Sequence, residues 1–387
     1  MNNIHISLTD FSNESRVLKQ VESLVKYGVF ENITIIALGS ANLTKFEQLS
    51  ENINLHRIEL LTRGLPKNML FQTIKYSEFF VKSLFLISKE NPSVVNAHGL
   101  AVLPISLMTK IIFKSHLVYD THELETETNG LKGIRKKINK FLEKKLINNV
   151  DMTLVVSNSI ADWYANEYGI QRPPVILNAP THRELKANNH FREQLDIREN
   201  QIILLYQGGL VTGRGIQIIL DAFKVRENDD LVAVFMGYGS LEAEIKAAAE
   251  LHNNIFFFPA VPPQVVLEYT ASADVGISLI ENSCLSYYYC MPNKLFEYAM
   301  AGLPVLVSNM KDMSELVTQN DMGSVITDFS NIGINKALDS FLQNDLIQMK
   351  ANAYRVACEN AWEVQEKKML IAYKYMFKKS EKNNVHS

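Results

Sequence analysis

What most constrains this chain is an alternation. Short apolar runs rich in Val and Ile recur between amphipathic stretches along most of its 387 residues. The first part offers IHISL, ITIIAL, VVNAH, LVYDTH and MTLVVS; the second offers IILLYQG, LVAVFMG, IFFFPAV, VGISLI and PVLVS. Runs that are apolar on both faces fit central strands of parallel sheets. SRVLKQVESLVKYG, IADWYANEYG, IQIILDAFKV, SLEAEIKAAAEL and PQVVLEYTASA separate them with helical character. Two successive series of βα units predict an α/β chain with two doubly wound sheets. Prolines and polar residues cluster in QRPPVILNAPTHRELKANNHFREQ, so the predicted domains are 1–180 and 181–387. Ligands of open α/β sheets sit outside the carboxyl ends of the strands. Two such sheets facing each other would enclose a central cleft, and the residues just after each strand are the ones to read.

Hydrophobic residues make up 47% of the chain, enough for two cores, while 21% are charged and the net charge is −3. No global basic field invites nucleic acid. Cys284, Cys290 and Cys358 form no CxxC pair and are odd in number, which argues against a disulfide framework and for a reducing cytoplasm. The start, MNNIHISLTD, has neither a basic n-region nor a long apolar run, and no segment reads as membrane-spanning.

After IILLYQ comes GGLVTGRGIQIILDAF. Gly208 and Gly209 let backbone N–H groups approach an anion closely, and Arg214 stands just before a helix. A guanidinium beside a helix N-terminus suits a diphosphate. Turn glycines beside a solvated arginine read equally well. In YYYCMPNKLFEYAMAGLPVLVS, Asn293 is expected to cap a helix that starts at Lys294 and stops at Gly302. Asn293, Lys294 and Glu297 share one face of it. Glu297 can clamp two neighbouring hydroxyls of a ribose or pair with Lys294. His98 ends VVNAH and His122 lies in YDTHE beside Asp120 and Glu123, both at strand ends. Either can be a structural histidine or a ligand contact.

At this point the residues resemble a known family. YQGGLVTGRGIQIILDAF, VFMGYGSLE, YTASADVGISLI and NKLFEYAMAGLPVLVS look like the donor half of the family 4 glycosyltransferases, which have the GT-B fold. SRVLKQVESLVKYG, VVNAHGLAVLPI, YDTHELETE, VVSNSIADWYANEYG and the closing WEVQEKKMLIAYKYM follow the first half in order. The resemblance implies a retaining enzyme that moves a sugar from a nucleotide-diphosphate sugar to an acceptor hydroxyl. That acceptor would be a lipid-linked or surface-polysaccharide intermediate of the lipopolysaccharide type. The first domain would take the acceptor and the second the nucleotide sugar. The last helix, about 362–378, would pack back on the first domain. Arg214 matches the residue that holds the diphosphate, and Glu297 matches the second acid of E-x7-E, the one on the ribose. Gly208, Gly209, Asn293 and Lys294 complete this nucleotide grip, with Pro262 of the VPPQ turn where the base is expected. His122 matches a position near the transferred sugar, and His122, Arg214 and Lys294 are the residues expected to carry catalysis.

The first acid of E-x7-E is replaced by Tyr289, which can supply a hydroxyl or stack on the sugar. The glycine-rich loop usual after the first strand is replaced by LTDFSNESR, placing Asn13, Glu14 and Arg16 on the acceptor side with His98 and Glu123. No D-x-D motif is present, which agrees with a metal-free site; the resemblance implies no cofactor beyond the donor, with UDP or GDP as its nucleotide. The mechanism implied is same-face attack, with the leaving phosphate helping to deprotonate the acceptor. In KGIRKKINKFLEKKLINNV, Ile134, Ile138, Phe141, Leu142 and Leu146 form one stripe amid lysines. Residues 132–146 therefore read as a contact for the cytoplasmic face of an anionic membrane, or as an ordinary helix with a solvated basic face. A sugar-nucleotide epimerase of similar shape is the alternative. A nicotinamide oxidoreductase is disfavoured because HISLTDFSNES lacks the needed glycines. A non-catalytic binder would require Tyr289 to have disabled the site.

Overall fold

A computed structural model describes residues 1–186, 188–226 and 230–385. The chain divides into two compact units, residues 1–176 with 366–387, and residues 177–365. The dividing point thus falls a few residues before the expected 180, and the closing stretch from Glu366 belongs with the first unit.

The first unit runs β1 (Asn2–Ser7), α1 (Ser15–Lys26), β2 (Asn32–Leu38), β3 (Phe46–Ser50), β4 (Ile53–Ile58) and α2 (Met69–Glu90). It continues β5 (Val94–His98), α3 (Leu103–Phe113), β6 (His116–Asp120), α4 (Gly133–Leu146), β7 (Met152–Leu154) and α5 (Asn158–Tyr168). The sheet order is β3-β4-β2-β1-β5-β6-β7, parallel except for β3. The order reverses at β1, so β1 and β5 flank the switch point where such folds hold ligands. The β3–β4 hairpin and the long α2 went unread in the sequence. β3 is largely exposed and polar, and β4 alternates buried and half-buried positions, so neither has the continuous apolar signature of a central strand.

The second unit runs α6 (His190–Leu195), β8 (Ile202–Gly209), α7 (Ile216–Lys224), β9 (Leu231–Tyr238), α8 (Glu242–Leu251), β10 (Ile255–Pro259) and α9 (Val266–Thr270). Then follow β11 (Val275–Ser278), α10 (Leu285–Tyr288), α11 (Asn293–Met300), β12 (Val305–Ser308), α12 (Lys311–Gln319), β13 (Gly323–Ile326), α13 (Asn331–Phe341) and α14 (Leu346–Asn360). The last helix, α15 (Trp362–Val385), begins here and ends in the first unit. The sheet is parallel, in the order β10-β9-β8-β11-β12-β13, with its switch point at β8 and β11. Alternate residues of β8 feed two cores: Ile203 and Leu205 enter one, Leu204 and Tyr206 the other.

α4 turns apolar side chains outward, as the membrane-contact alternative needs and the ordinary packed helix does not. Ile134, Ile138 and Phe141 point outward, 45–68% exposed, and the buried residue of the helix is Glu143. Its carboxylate accepts hydroxyls from Tyr119, Tyr164 and Tyr168 at 2.6–2.7 Å. Three phenols from β6 and α5 compensate what would otherwise be a costly burial. Glu127 ties the same helix down through Lys136 and Lys140.

Candidate functional site

In the second unit the site grows from the end of β8. Gly215 precedes α7 at φ 76°, and a Cβ there would fall 2.1 Å from the Leu279 carbonyl, so the helix starts hard against the end of β11. Arg214 is held over the Tyr287 ring, 4.7 Å from its centroid. Lys294 lies 3.7 Å from the centroid of Tyr206, whose hydroxyl donates to Gly209 O at 2.9 Å. A Cβ on Gly208 would sit 3.6 Å from the Lys294 ammonium. Burial first, then the charge of Arg214, brings Lys294 down to about 7. Among the described residues neither cation has an ion pair or hydrogen bond. Two repelling charges beside backbone without side chains make a place that an anion would relieve.

Glu297 is positioned by a residue the sequence reading missed. Gln207, buried at the end of β8, donates its amide to Glu297 Oε2 at 2.5 Å and accepts from Thr270 at 2.7 Å. Its backbone N–H donates to the Tyr298 hydroxyl at 2.9 Å. No local pattern marks Gln207; only the fold brings it 90 residues from its partner. Asn293 is corrected in one respect: it is the first residue of α11 rather than its cap, a position held by Pro292 with no side-chain bond. Tyr289 follows α10, its ring 5.4 Å from Tyr288 and 5.7 Å from the Lys311 ammonium. Pro262 is exposed in a turn closed by Val265 N–H on its carbonyl. Burial pushes the nearby Cys290 thiol up to about 12, so it stays protonated.

In the first unit the strand ends gather a buried polar chain. Both Asp120 oxygens are taken by Arg16 at 2.7 and 3.0 Å, and Gln20 adds a bond at 2.8 Å. The third Arg16 nitrogen donates to Ile176 O at 2.6 Å. Arg16, expected on the acceptor side, is thus 4% exposed and fully occupied in joining α1 to β6. His98, expected there too, has no exposed side-chain surface. Its Nδ1 lies 3.3 Å from Asp120 and 3.2 Å from His122, and its Nε2 meets His5 Nδ1 at 2.8 Å. Burial lowers both His98 and His5, and a neutral chain satisfies them: Asn3 donates to His5, His5 to His98, and His98 to Asp120. Asp120 stays well below the usual carboxylate range; burial opposes its charge, but Arg16 and the histidines override it.

His122 is the member that reaches solvent, with 32% of its side chain exposed. Burial disfavours its cation, yet Asp120 raises its pKa above the ordinary value. The ligand atoms of His98, Asp120 and His122 lie within 4.8 Å of one another, but a metal ion there would face the Arg16 guanidinium. Asn13 and Glu123 are exposed, and Glu14 stands at the α1 cap, where its charge raises both His98 and His122. Glu125 also went unread: it accepts the Leu100 N–H at 3.1 Å, and burial raises it to about 7. Its signal, YDTHELETE, holds one aspartate and three glutamates that sequence alone does not distinguish.

Two family models tile this chain: Glycosyltransferase Family 4 over residues 16–179, and Glycosyl transferases group 1 over 187–357. The chain belongs to the family 4 glycosyltransferases. This glycosyltransferase is 22% identical over 306 residues to the lipopolysaccharide 1,2-N-acetylglucosaminetransferase of Salmonella typhimurium, covering 75% of this chain and 74% of that one. Its fold matches sucrose-phosphate synthase from Thermosynechococcus elongatus with a TM-score of 0.80 at 16% identity, covering 97% and 99% of the two chains. It matches Anabaena HepE, solved in complex with UDP and glucose, with a TM-score of 0.72 at 13% identity, covering 97% and 100%. The fold is GT-B, and the enzyme is a glycosyltransferase of lipopolysaccharide or related glycan biosynthesis. The family carries transfer rather than the epimerisation held as the alternative.

Proposed function

We propose that this glycosyltransferase moves a sugar, with retention, from a nucleotide-diphosphate sugar to a glycan or lipid-linked acceptor. The observation that carries the donor reading is the pair Arg214 and Lys294, two cations that repel each other and, among the described residues, make no direct ion pair, with the Lys294 ammonium beside Gly208. A diphosphate supplies the missing charge, and the same cations then stabilise the charge that develops as the sugar departs. They do so without a metal ion. Glu297, held by Gln207, takes the ribose hydroxyls, and the exposed Pro262 turn lies against the base. His122, whose pKa Asp120 raises against burial, meets the sugar or a phosphate. HepE, solved with UDP and glucose, supports a uridine donor for a chain of this fold. Melting curves in EDTA against UDP, GDP, ADP and dTDP test the reading. One nucleotide must raise the melting temperature, and Glu297→Ala and Arg214→Ala must abolish the rise. No rise with any of the four would overturn it.

The acceptor reading extends to a membrane. No helix among the described residues is long and apolar enough to cross a bilayer. Three successive helices nevertheless show apolar side chains outward: Met69, Leu70, Val81 and Phe85 on α2, Ile111 and Ile112 on α3, and Ile134, Ile138 and Phe141 on α4. α2 packs on α3, and α3 on α4. Exposed Lys132, Arg135, Lys137, Lys144 and Lys145 border the α4 stripe, so an anionic bilayer, on the cytoplasmic side, is the complementary surface. Co-sedimentation with anionic vesicles at low salt, lost at high salt, is expected; equal sedimentation with and without vesicles would remove this part of the reading.

A further inference from the structure

Between α2 and α4 the first unit carries a depression of about 510 Å3 lined by Lys67, Met69, Gln72, Thr73, Tyr76 and Arg135. Its chemistry is that of an anion site. Among the described residues Lys67 and Arg135 have no ion pair or hydrogen bond, and the Gln72 amide is likewise unengaged. Lys67 precedes the N-terminus of the 22-residue α2, whose first turn lines the depression. Asn68 caps only the Phe71 N–H with its side chain. The Tyr76 hydroxyl is shielded from solvent and makes no hydrogen bond. Burial pushes its pKa up to about 12, so it remains a donor. An unbonded, shielded hydroxyl is costly in a folded protein, and a ligand oxygen would satisfy it.

The surroundings say how that anion is presented. Met69, Leu70 and Ile74 on α2 and Ile134 and Ile138 on α4 are exposed, and Met69 and Arg135 line the depression itself. A cationic pocket bordered by outward apolar side chains suits an anion that carries hydrocarbon. We propose that this pocket binds the phosphate of an anionic phospholipid headgroup. Lys67, Arg135, the Gln72 amide, the Tyr76 hydroxyl and the α2 N-terminus meet the phosphate, and the flanking apolar residues meet the acyl chains. The inference rests on the membrane reading and adds to it a specific anchor, separate from the acceptor.

Full-length protein is to be sedimented with two phosphatidylcholine vesicle sets of equal surface potential, one containing phosphatidic acid and the other oleate. Phosphatidic acid is expected to bind about fivefold more tightly, the equivalent of one well-placed cation. Tyr76→Phe and the pair Lys67→Gln with Arg135→Gln must erase the preference. Lys137→Gln with Lys144→Gln, outside the pocket, must weaken both sets alike and leave the preference intact. Melting curves of each variant verify folding. Equal affinity for the two sets, or a preference that survives both pocket changes, overturns the anchor while the membrane reading stands. Binding to neither set removes the membrane reading. Titration with glycerol 3-phosphate and inorganic phosphate then decides the pocket. Heat lost in Tyr76→Phe would assign it to a soluble phosphate and overturn the lipid source; no heat would overturn the site itself.

Discussion

Gly276 and Tyr298 share one space: a Cβ on Gly276 would lie 2.4 Å from the Tyr298 ring. The ring is thereby allowed to cross beneath β11 and deliver its hydroxyl to Gln207 N–H and to Ile277 O, at 2.9 and 3.2 Å. Through Gln207 this contact also steadies Glu297. Gly276→Ala should lower stability by about 3 kcal/mol or more, combining overpacking with a displaced hydrogen bond. Tyr298→Phe, which keeps the ring, should cost only about 1–3 kcal/mol. Urea denaturation of the two variants measures the difference, and a larger loss in Tyr298→Phe would contradict this arrangement.

Lys294 should take up a proton when a diphosphate binds. Its pKa of about 7 rises once an anion offsets burial and Arg214. Titration calorimetry of the nucleotide at pH 8 in two buffers of different ionisation enthalpy should show an uptake approaching one proton. Affinity should fall as pH rises above 7. The free protein behaves oppositely and gains stability between pH 7 and the ordinary lysine value, because the unfolded chain holds the extra proton there. Heats independent of buffer would mean that the diphosphate does not meet Lys294.

Asp120 should set the charge of His122. The carboxylate raises the imidazole pKa, so this stabilisation is complete below the ordinary value and fades as pH rises through the elevated one. Asp120→Asn should move the NMR titration of His122 downward. Arg16→Ala leaves that carboxylate buried with a partner missing, a loss of about 3–5 kcal/mol in chemical denaturation. An unshifted His122 titration in Asp120→Asn would remove Asp120 from this role.

Glu125 should make the protein less stable in mild alkali. Burial outweighs the Leu100 hydrogen bond and lifts the carboxyl from 4.5 to about 7, so its stabilising contribution is lost as pH rises through that interval. Glu125→Gln, which still accepts the Leu100 N–H, should raise the melting temperature at pH 8 and leave it unchanged at pH 4.5. The gain corresponds to at most about 3 kcal/mol. A pH-independent effect would assign the residue to packing alone.

The apolar strands announced both sheets because central parallel strands are hydrophobic on both faces, and Gly208 and Arg214 stood at strand or helix ends where ligands are sought. What stayed hidden depends on long-range partners. Arg16 looks like a free charge until Asp120, 104 residues on, takes its fork. Glu143 looks like one acid on a basic helix, yet its three tyrosines come from β6 and α5 and turn the apolar stripe outward. Gln207 has no signal of its own, since its importance lies in Glu297, Thr270 and Tyr298. β3 escaped notice because an edge strand needs no continuous apolar run, and β4 because its positions alternate between buried and half-buried along most of its length.

The return of α15 to the first unit bears on the order in which a ribosome can finish the molecule. Glu366 accepts from Ser23, Lys26 and Tyr27, and the Tyr373 hydroxyl accepts from Asn96 at 2.5 Å. Those partners are made early, but the residues that complete them follow the whole of the second unit. Domains generally fold as units during synthesis. Here the unit translated first must wait, with part of its interior uncovered, until the one translated second has passed.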